Sequence, residues 1–220
     1  LSRWFACASI VAMRNIRIAI YGCGGFGREI EPLASSMDAD VVFVSDIPSE
    51  HGSVINHIRV ISFDDLISPQ HIDREVVLAV GSSDGRRNLA AKCKAAGLRF
   101  GSLQAPTVRL LRDNKIGEGS VFCDYSMCTS NARIGQHFQC NIYSYVAHDC
   151  VIGDFVTFAP RVNCNGNVTI EDDVYVGTGA FLKQGIRIGR GATIGMGAVV
   201  TNDVLPDVVV VGNPARVLER

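Results

Sequence analysis

The sequence predicts a chain in two parts, a small parallel α/β unit followed by a parallel β-helix. Three observations carry this reading. An apolar residue recurs at every sixth position from Leu110 to Val200, sixteen times without an insertion. Strand-like and helix-like segments alternate through roughly the first hundred residues, the pattern of crossover helices on a parallel sheet. The glycines also divide: four lie at 22–27, and thirteen of the 22 lie at or after position 117.

Composition narrows the possibilities. Of 220 residues, 47% are apolar but only 7% aromatic, so the chain can bury a core built from small aliphatic side chains. Disorder is excluded by that apolar fraction. With 21 basic against 22 acidic residues, no charge excess points to nucleic acid or to an anionic membrane surface. No apolar run approaches the roughly 20 residues that span a bilayer. The eight cysteines contain no CxxC pair and no metal-like clustering, which reads as reduced thiols in a soluble, cytoplasmic protein.

Residues 1–13 read as a leader or extension. They carry Arg3 and a short apolar run but no convincing cleavage site, and Met13 is the expected natural start. The first unit spans 14–106. Residues 16–21 form its first strand, leading into Gly22-Cys23-Gly24-Gly25-Phe26-Gly27 and a helix over about 28–37. Strands follow at 41–44, near 59–61 and at 76–80, and a helix over 84–96 is closed by Gly97. The spacing Gly22-x-Gly24-x-x-Gly27, with Asp46 further on, fits a Rossmann-like phosphate turn, where glycines let backbone amides approach an anion at a helix start. A tight turn without a ligand fits the same spacing. The unit has the size of one mononucleotide half of a doubly wound fold, which favours a nucleotide sugar or mononucleotide over a complete NAD site.

The second unit spans 107–220. A six-residue period builds a parallel β-helix of short strands, three hexads to a triangular coil. Residues 18 apart then stack about 4.8 Å from one another. Cys128, Cys140 and Cys164 fall on the inward hexad position and Cys150 on a second apolar one, so they read as small core residues.

Within this regular stretch His148 stands at a coil turn, outside the apolar register, and Asp149 follows it directly. A histidine supplies a base near neutral pH, and a neighbouring carboxylate fixes its tautomer. Gly166 lies 18 residues on, one coil away, where an unhindered amide could serve a tetrahedral oxyanion. An ordinary solvated His-Asp pair is the plainer alternative. Zinc is disfavoured, because only His137 and His148 lie in the repeat and the nearby cysteines point inward.

The joint, ordered presence of residues 20–27, 79–83, 148–154, 164–168 and 211–215 resembles the sialic acid O-acetyltransferase family, including its bacillosamine-type N-acetyltransferases of nucleotide-linked amino sugars. That resemblance implies a left-handed β-helix and a homotrimer with active sites between subunits. It also implies an acetyl-CoA-dependent acetyltransferase that needs no metal and serves glycan or polysaccharide assembly. His148 would be the general base and Asp149 its acidic partner, with Gly166 offering its amide to the thioester. Acetyl-CoA would lie near Thr157, Thr178 and Met196, below the 212–215 turn and Arg216. Gly24, Gly25 and Phe26 would flank the nucleotide diphosphate, Ser45 and Asp46 would face base or ribose, and Gly81 would line the pocket. Phe26 stands where related enzymes carry a histidine, Ser45-Asp46 where they carry paired aspartates, and Thr157 replaces a histidine of some members. O-acetylation of a sialic-acid-like sugar is the alternative chemistry. A non-catalytic nucleotide-sugar-binding protein is the alternative of another class.

Overall fold

The computed structural model describes residues 16–219; the expected leader and Cys7 lie outside the described residues. The first unit runs β1 (Arg17–Tyr21), α1 (Gly25–Ser35), β2 (Asp40–Val44), β3 (Val54–Ile55), β4 (Ile58–Ile61), α2 (Phe63–Leu66), β5 (Glu75–Leu78), α3 (Ser83–Ala95) and β6 (Arg99–Phe100). Its sheet has the order β3-β4-β2-β1-β5-β6. All pairs are parallel except β3 with β4, a hairpin turned by Asn56 and His57, both at positive φ. The sheet is therefore mixed, not purely parallel.

Alternation along β1 and β5 decides how this sheet is buried. Ile18, Ile20 and Val77 enter a core that runs on into the second unit, whereas Ala19, Tyr21, Val76 and Leu78 enter a separate cluster that includes Ala90 and Cys93 of α3. A strand buried on both faces needs this near-continuous apolar run, and a period of two distributes it to the two sides.

The second unit begins its first coil with β7 (Leu103–Gln104), paired to Val121–Phe122 and so ahead of the expected boundary at 107. From there each of the sixteen hexad residues is the second member of a two-residue strand, from Arg109–Leu110 to Val199–Val200. Fourteen of the sixteen are buried, and Leu110 and Ile116 in the first coil are half-buried. Strands pair in parallel with partners 18 residues away, as in Tyr145↔Asn163 and Val146↔Cys164. They stack into three sheets of eight, six and five strands. The four cysteines expected inside are buried free thiols.

The corners follow a rule of their own. Every residue three past a hexad position, from Asp113 to Gly197, has positive φ. A bulky residue there costs about 1–2 kcal/mol of backbone strain. Its N–H is held by the preceding coil: His137 N–H donates to Glu118 O, Asp149 N–H to Ser130 O and Phe155 N–H to Gln136 O. Glycines one past the hexad position serve packing instead. A β-carbon on Gly153 would lie 2.4 Å from Asp172 Oδ1 in the next coil.

The two units meet along α3. Arg87 grips Asp173 with Nη2 at 2.8 Å from both carboxylate oxygens, and its guanidinium lies 4.3 Å over the Phe155 ring. Phe155 stacks in turn on His137, centroids 4.9 Å apart, and His137 meets Phe100 edge-on. The corner column His137, Phe155, Asp173 is thus the seat of the first unit on the prism.

Candidate active site

His148 and Asp149 occupy the second and third residues of a corner between the six- and five-stranded sheets. The left-handed backbone at Asp149, φ 60°, suits a short polar side chain. His148 Nδ1 lies 2.8 Å from Asp149 Oδ2. An ionised carboxylate only accepts, so in the neutral imidazole the proton sits on Nδ1 and Nε2 carries the lone pair for a ligand. Asn131, one coil earlier in the same column, donates through Nδ2 to Asp149 Oδ1 at 3.2 Å. The bonds from His148 and then Asn131 hold the Asp149 carboxyl below the usual range, so it stays charged.

Gly166 seats the imidazole. A β-carbon there would lie 2.5 Å from both Cε1 and Nε2 of His148. Its N–H, like that of His148, has no acceptor among the described residues, in contrast to two residues at a neighbouring edge. Gln136 N–H donates to Asp154 Oδ1 and Asp154 N–H to Asp172 Oδ1, each one coil on. The residue one coil past Gly166 is Gln184, and among the described residues the Gly166 N–H has no acceptor. The approach to Gly166 is braced by Tyr145 O–H donating to Asn165 Oδ1 at 2.9 Å, while Asn165 Nδ2 donates to Leu182 O. A base with a free Nε2 beside an unpaired amide can deprotonate a nucleophile and stabilise an oxyanion.

The remaining expected donor-site residues lie elsewhere on the same chain. Thr178 and Met196 stack at the corner between the eight- and six-stranded sheets, both exposed. Thr157 lies on the eight-stranded sheet between Gln139 and Tyr175, buried, with no hydrogen-bond partner for its hydroxyl among the described residues. Within one chain these three do not join the His148 corner. The 212–215 turn links Val209–Val211 to the antiparallel Arg216–Val217, and Arg216 is exposed.

In the first unit, two glycines are demanded by backbone packing and two are left open. A β-carbon on Gly22, φ 111°, would lie 2.9 Å from Ala79 O, and one on Gly27 would lie 1.9 Å from Gly22 O. Gly24 caps α1 and Gly25 begins it; both are exposed, with open space where a β-carbon would stand. Phe26 is half-buried against the shared core, and Gly81 is exposed. Ser45 is buried and donates to Glu50 Oε2 at 2.5 Å, which also accepts from Cys23 Sγ. These two bonds, Ser45 first, hold the Glu50 carboxyl below its usual range. Asp46 Oδ1 accepts from Lys92 Nζ and Tyr21 O–H, each at 2.7 Å. Partial burial works against the Asp46 charge, but the Lys92 and Tyr21 bonds outweigh it and keep the carboxyl below its usual range. Ser45, Asp46, His51, Phe63 and Lys92 line a cleft of about 290 Å³.

Two family models match: the PglD N-terminal domain over residues 17–93, and the bacterial transferase hexapeptide (six repeats) over 167–202. WeeI from Acinetobacter baumannii AYE is 43% identical, with a TM-score of 0.88 over 92% of this chain and 100% of that one. The acetyltransferase domain of PglB from Neisseria gonorrhoeae FA1090, in complex with acetyl coenzyme A, is 30% identical, with a TM-score of 0.85 over 93% and 100%. A GDP-perosamine N-acetyltransferase of Escherichia coli O157:H7 is 37% identical over 213 residues, 91% of this chain and 96% of the relative. The chain belongs to the nucleotide-amino-sugar acetyltransferases of the hexapeptide-repeat class.

In this acetyltransferase the β-helix is left-handed, as the resemblance implied and as the fold it shares with these relatives establishes. Among the described residues no helix is long and apolar enough to cross a membrane. Reading the sequence alone missed three supports of the site, Asn131, Tyr145 and Glu50. Asn131 carried a usable signal, since it lies one coil of 18 residues before Asp149. Glu50 carried none, because only the folded turn after β2 brings it to Ser45 and Cys23.

Proposed function

We propose that the chain transfers acetyl from acetyl-CoA to the amine of a nucleotide-linked amino sugar, with a GDP-linked sugar as the first candidate. The His148–Gly166 stacking carries this reading. The amine gives a proton to His148 Nε2 and attacks the thioester carbonyl, forming the C–N bond, while the oxyanion accepts from the Gly166 N–H. Collapse breaks the C–S bond, and the CoA thiolate leaves with the proton that His148 returns. Asp149 holds the imidazole tautomer throughout. Support for the acceptor comes from the GDP-perosamine N-acetyltransferase that matches over nearly the whole chain, and for the donor from the PglB domain with acetyl coenzyme A.

The first unit holds the nucleotide through Gly24, Gly25 and Phe26, with Ser45, Asp46 and Gly81 around it. The prism performs the transfer. The assembly is a homotrimer in which the corner with His148 and Gly166 meets the neighbour's corner with Thr178 and Met196, and acetyl-CoA lies between them. The sheet face between those corners supports this, because it presents Met127, Tyr145 and Phe181, with Phe181 49% exposed. Cytoplasmic action follows from where acetyl-CoA and sugar nucleotides are found.

Incubation with acetyl-CoA and a panel of GDP-, UDP- and dTDP-linked amino sugars, read by mass spectrometry, tests the proposal. One sugar nucleotide should gain a single acetyl group at nitrogen as CoA is released. Tight binding of a sugar nucleotide with no transfer to any would overturn it in favour of a binding protein.

A further inference from the structure

Arg86, in the first turns of α3, is fully buried, among the largest side chains with no solvent exposure. Its Nη1 donates to Val80 O at 2.9 Å, Gly81 O at 3.0 Å and Gln139 Oε1 at 3.1 Å, and its Nη2 donates to Phe155 O at 2.6 Å. Two of these acceptors belong to the loop that leaves β5, and two belong to the prism. Gln139 answers from the other side, its Nε2 donating to Leu78 O and Val80 O. One guanidinium and one amide therefore bolt the ligand-facing end of β5 to the third coil.

The chemistry of this joint is costly for a merely adhesive one. No carboxylate touches Arg86; the nearest acid by its field, Asp173, is already held by Arg87 and Arg190. The charge lies in the first turns of a helix, the end that disfavours cations. Burial pushes its pKa down to about 10, which still leaves it charged at neutral pH. An apolar contact would hold the two units together without desolvating a charge, so adhesion alone does not explain this one. What a planar fork adds is direction. Its fixed N–H vectors admit one orientation of two bodies, whereas an apolar contact lets them slide.

We infer that Arg86, with Gln139, is a positioning residue that fixes the nucleotide-bearing loop at one distance and angle from the prism, so that a bound acceptor amine arrives in line with a transfer corner. This rests on the proposed nucleotide-sugar reading. Binding to either unit alone does not need the joint; the encounter of the two bound substrates does. A displacement of about 1 Å at the reacting atoms is enough for a loss of roughly 10²-fold in turnover.

The test compares wild type, R86M, R86K and Q139L as full chains. R86M should bind CoA with unchanged Kd and the accepted sugar nucleotide within a few-fold of wild type, yet lose kcat by roughly 10²-fold. Acetyl transfer to hydroxylamine, which reaches His148 without the first unit, should be unchanged. R86K should remain impaired, because a point charge lacks the fork, and Q139L should move the same way by less. Paired spin labels, one at Asp38 in the first unit and one at Asn202 on the prism, should give a narrow intrachain distance distribution in wild type and a broad one in R86M. Where R86M does not fold, Q139L carries the same comparison. Full turnover in R86M, hydroxylamine transfer that falls in parallel, rescue by lysine, or an unbroadened distribution would each overturn the inference. A wild type inactive on every sugar nucleotide overturns the proposed function instead, and the label distances still decide the joint.

Discussion

The imidazole of His148 rests against the α-carbon of Gly166, so closely that a β-carbon on Gly166 would lie 2.5 Å from Nε2. Two residues separated by one coil thereby define a base and an adjacent amide donor, and the relationship leaves room for hydrogen alone at position 166. The G166A variant should keep its fold, because the clash falls on a half-exposed ring and not on backbone. Its kcat should fall by about 10²- to 10³-fold, the scale of a lost oxyanion donor or displaced base. Steady-state kinetics with the Kd of CoA measured separately checks this; a fully active G166A would remove the glycine from the mechanism.

Asp149 acts through the tautomer it selects. In D149N the amide can donate to Nδ1, which shifts the proton to Nε2 and blocks the lone pair. Turnover should drop by about 10²- to 10³-fold with little change in substrate affinity, the scale set by general-base catalysis. N131A loosens the Asp149 carboxylate without removing it and should lose only several-fold, as expected for one hydrogen bond to a charged group. Equal losses in both variants would argue that the corner simply collapses.

His137 should make stability pH-dependent. Burial, with the Arg86 charge beside it, pushes its pKa down to about 4 in the folded chain against 6.5 in the unfolded one. The unfolded chain thus binds a proton that the folded one refuses. Its contribution is complete above about pH 6.5 and is lost as pH falls toward about 4, by at most about 3 kcal/mol. Phe155 shows that the same left-handed corner accepts a phenylalanine. Urea unfolding at about pH 7 and pH 5 should show a loss in wild type of about 2 kcal/mol that H137F does not share. Identical pH slopes would place the acid sensitivity elsewhere.

The Asp46–Lys92 pair predicts an effect confined to the acceptor. D46N weakens the hold on Lys92 and alters one wall of the cleft, and should raise the acceptor KM by about tenfold, the scale of one charge-assisted bond. The KM for acetyl-CoA should stay fixed. A parallel rise in both would mean that the cleft does not belong to the acceptor.

Complementation tests the shared site. Homotrimers of H148A and of T178W should each be inactive, the second because a tryptophan fills the proposed CoA groove. Refolded mixtures should recover activity, since some interfaces then pair an intact His148 corner with an intact Thr178 corner. Mixtures as inactive as their parents would mean that each site is built within one chain.

How legible this was depended on the range of the interactions. The hexads could be read because each inward residue reports only on its own two-residue strand, and each of the sixteen lies where the period put it. The pairing of His148 with Gly166 followed from the same 18-residue arithmetic. Handedness did not, since a period is the same in either hand. The hairpin of β3 and β4 went unread because its Asn56-His57 turn lacks the glycine that usually marks one. The helix α2 went unread too, although Ser62 and Asp65 form its capping box, because four residues show no period. Thr157 was placed beside acetyl-CoA by resemblance, while the fold sets its buried hydroxyl between Gln139 and Tyr175. Arg86 carries no signal in the sequence, and only docking of α3 on Phe155 and Gln139 buries it.

The most direct measurement is acetyl transfer by H148A beside wild type, with the sugar nucleotide that wild type accepts and saturating acetyl-CoA. The variant should retain CoA and sugar-nucleotide binding and lose about 10³-fold or more of its turnover, the contribution of a positioned general base. Turnover by H148A near the wild-type rate, with product acetylated at the same nitrogen, would contradict the account.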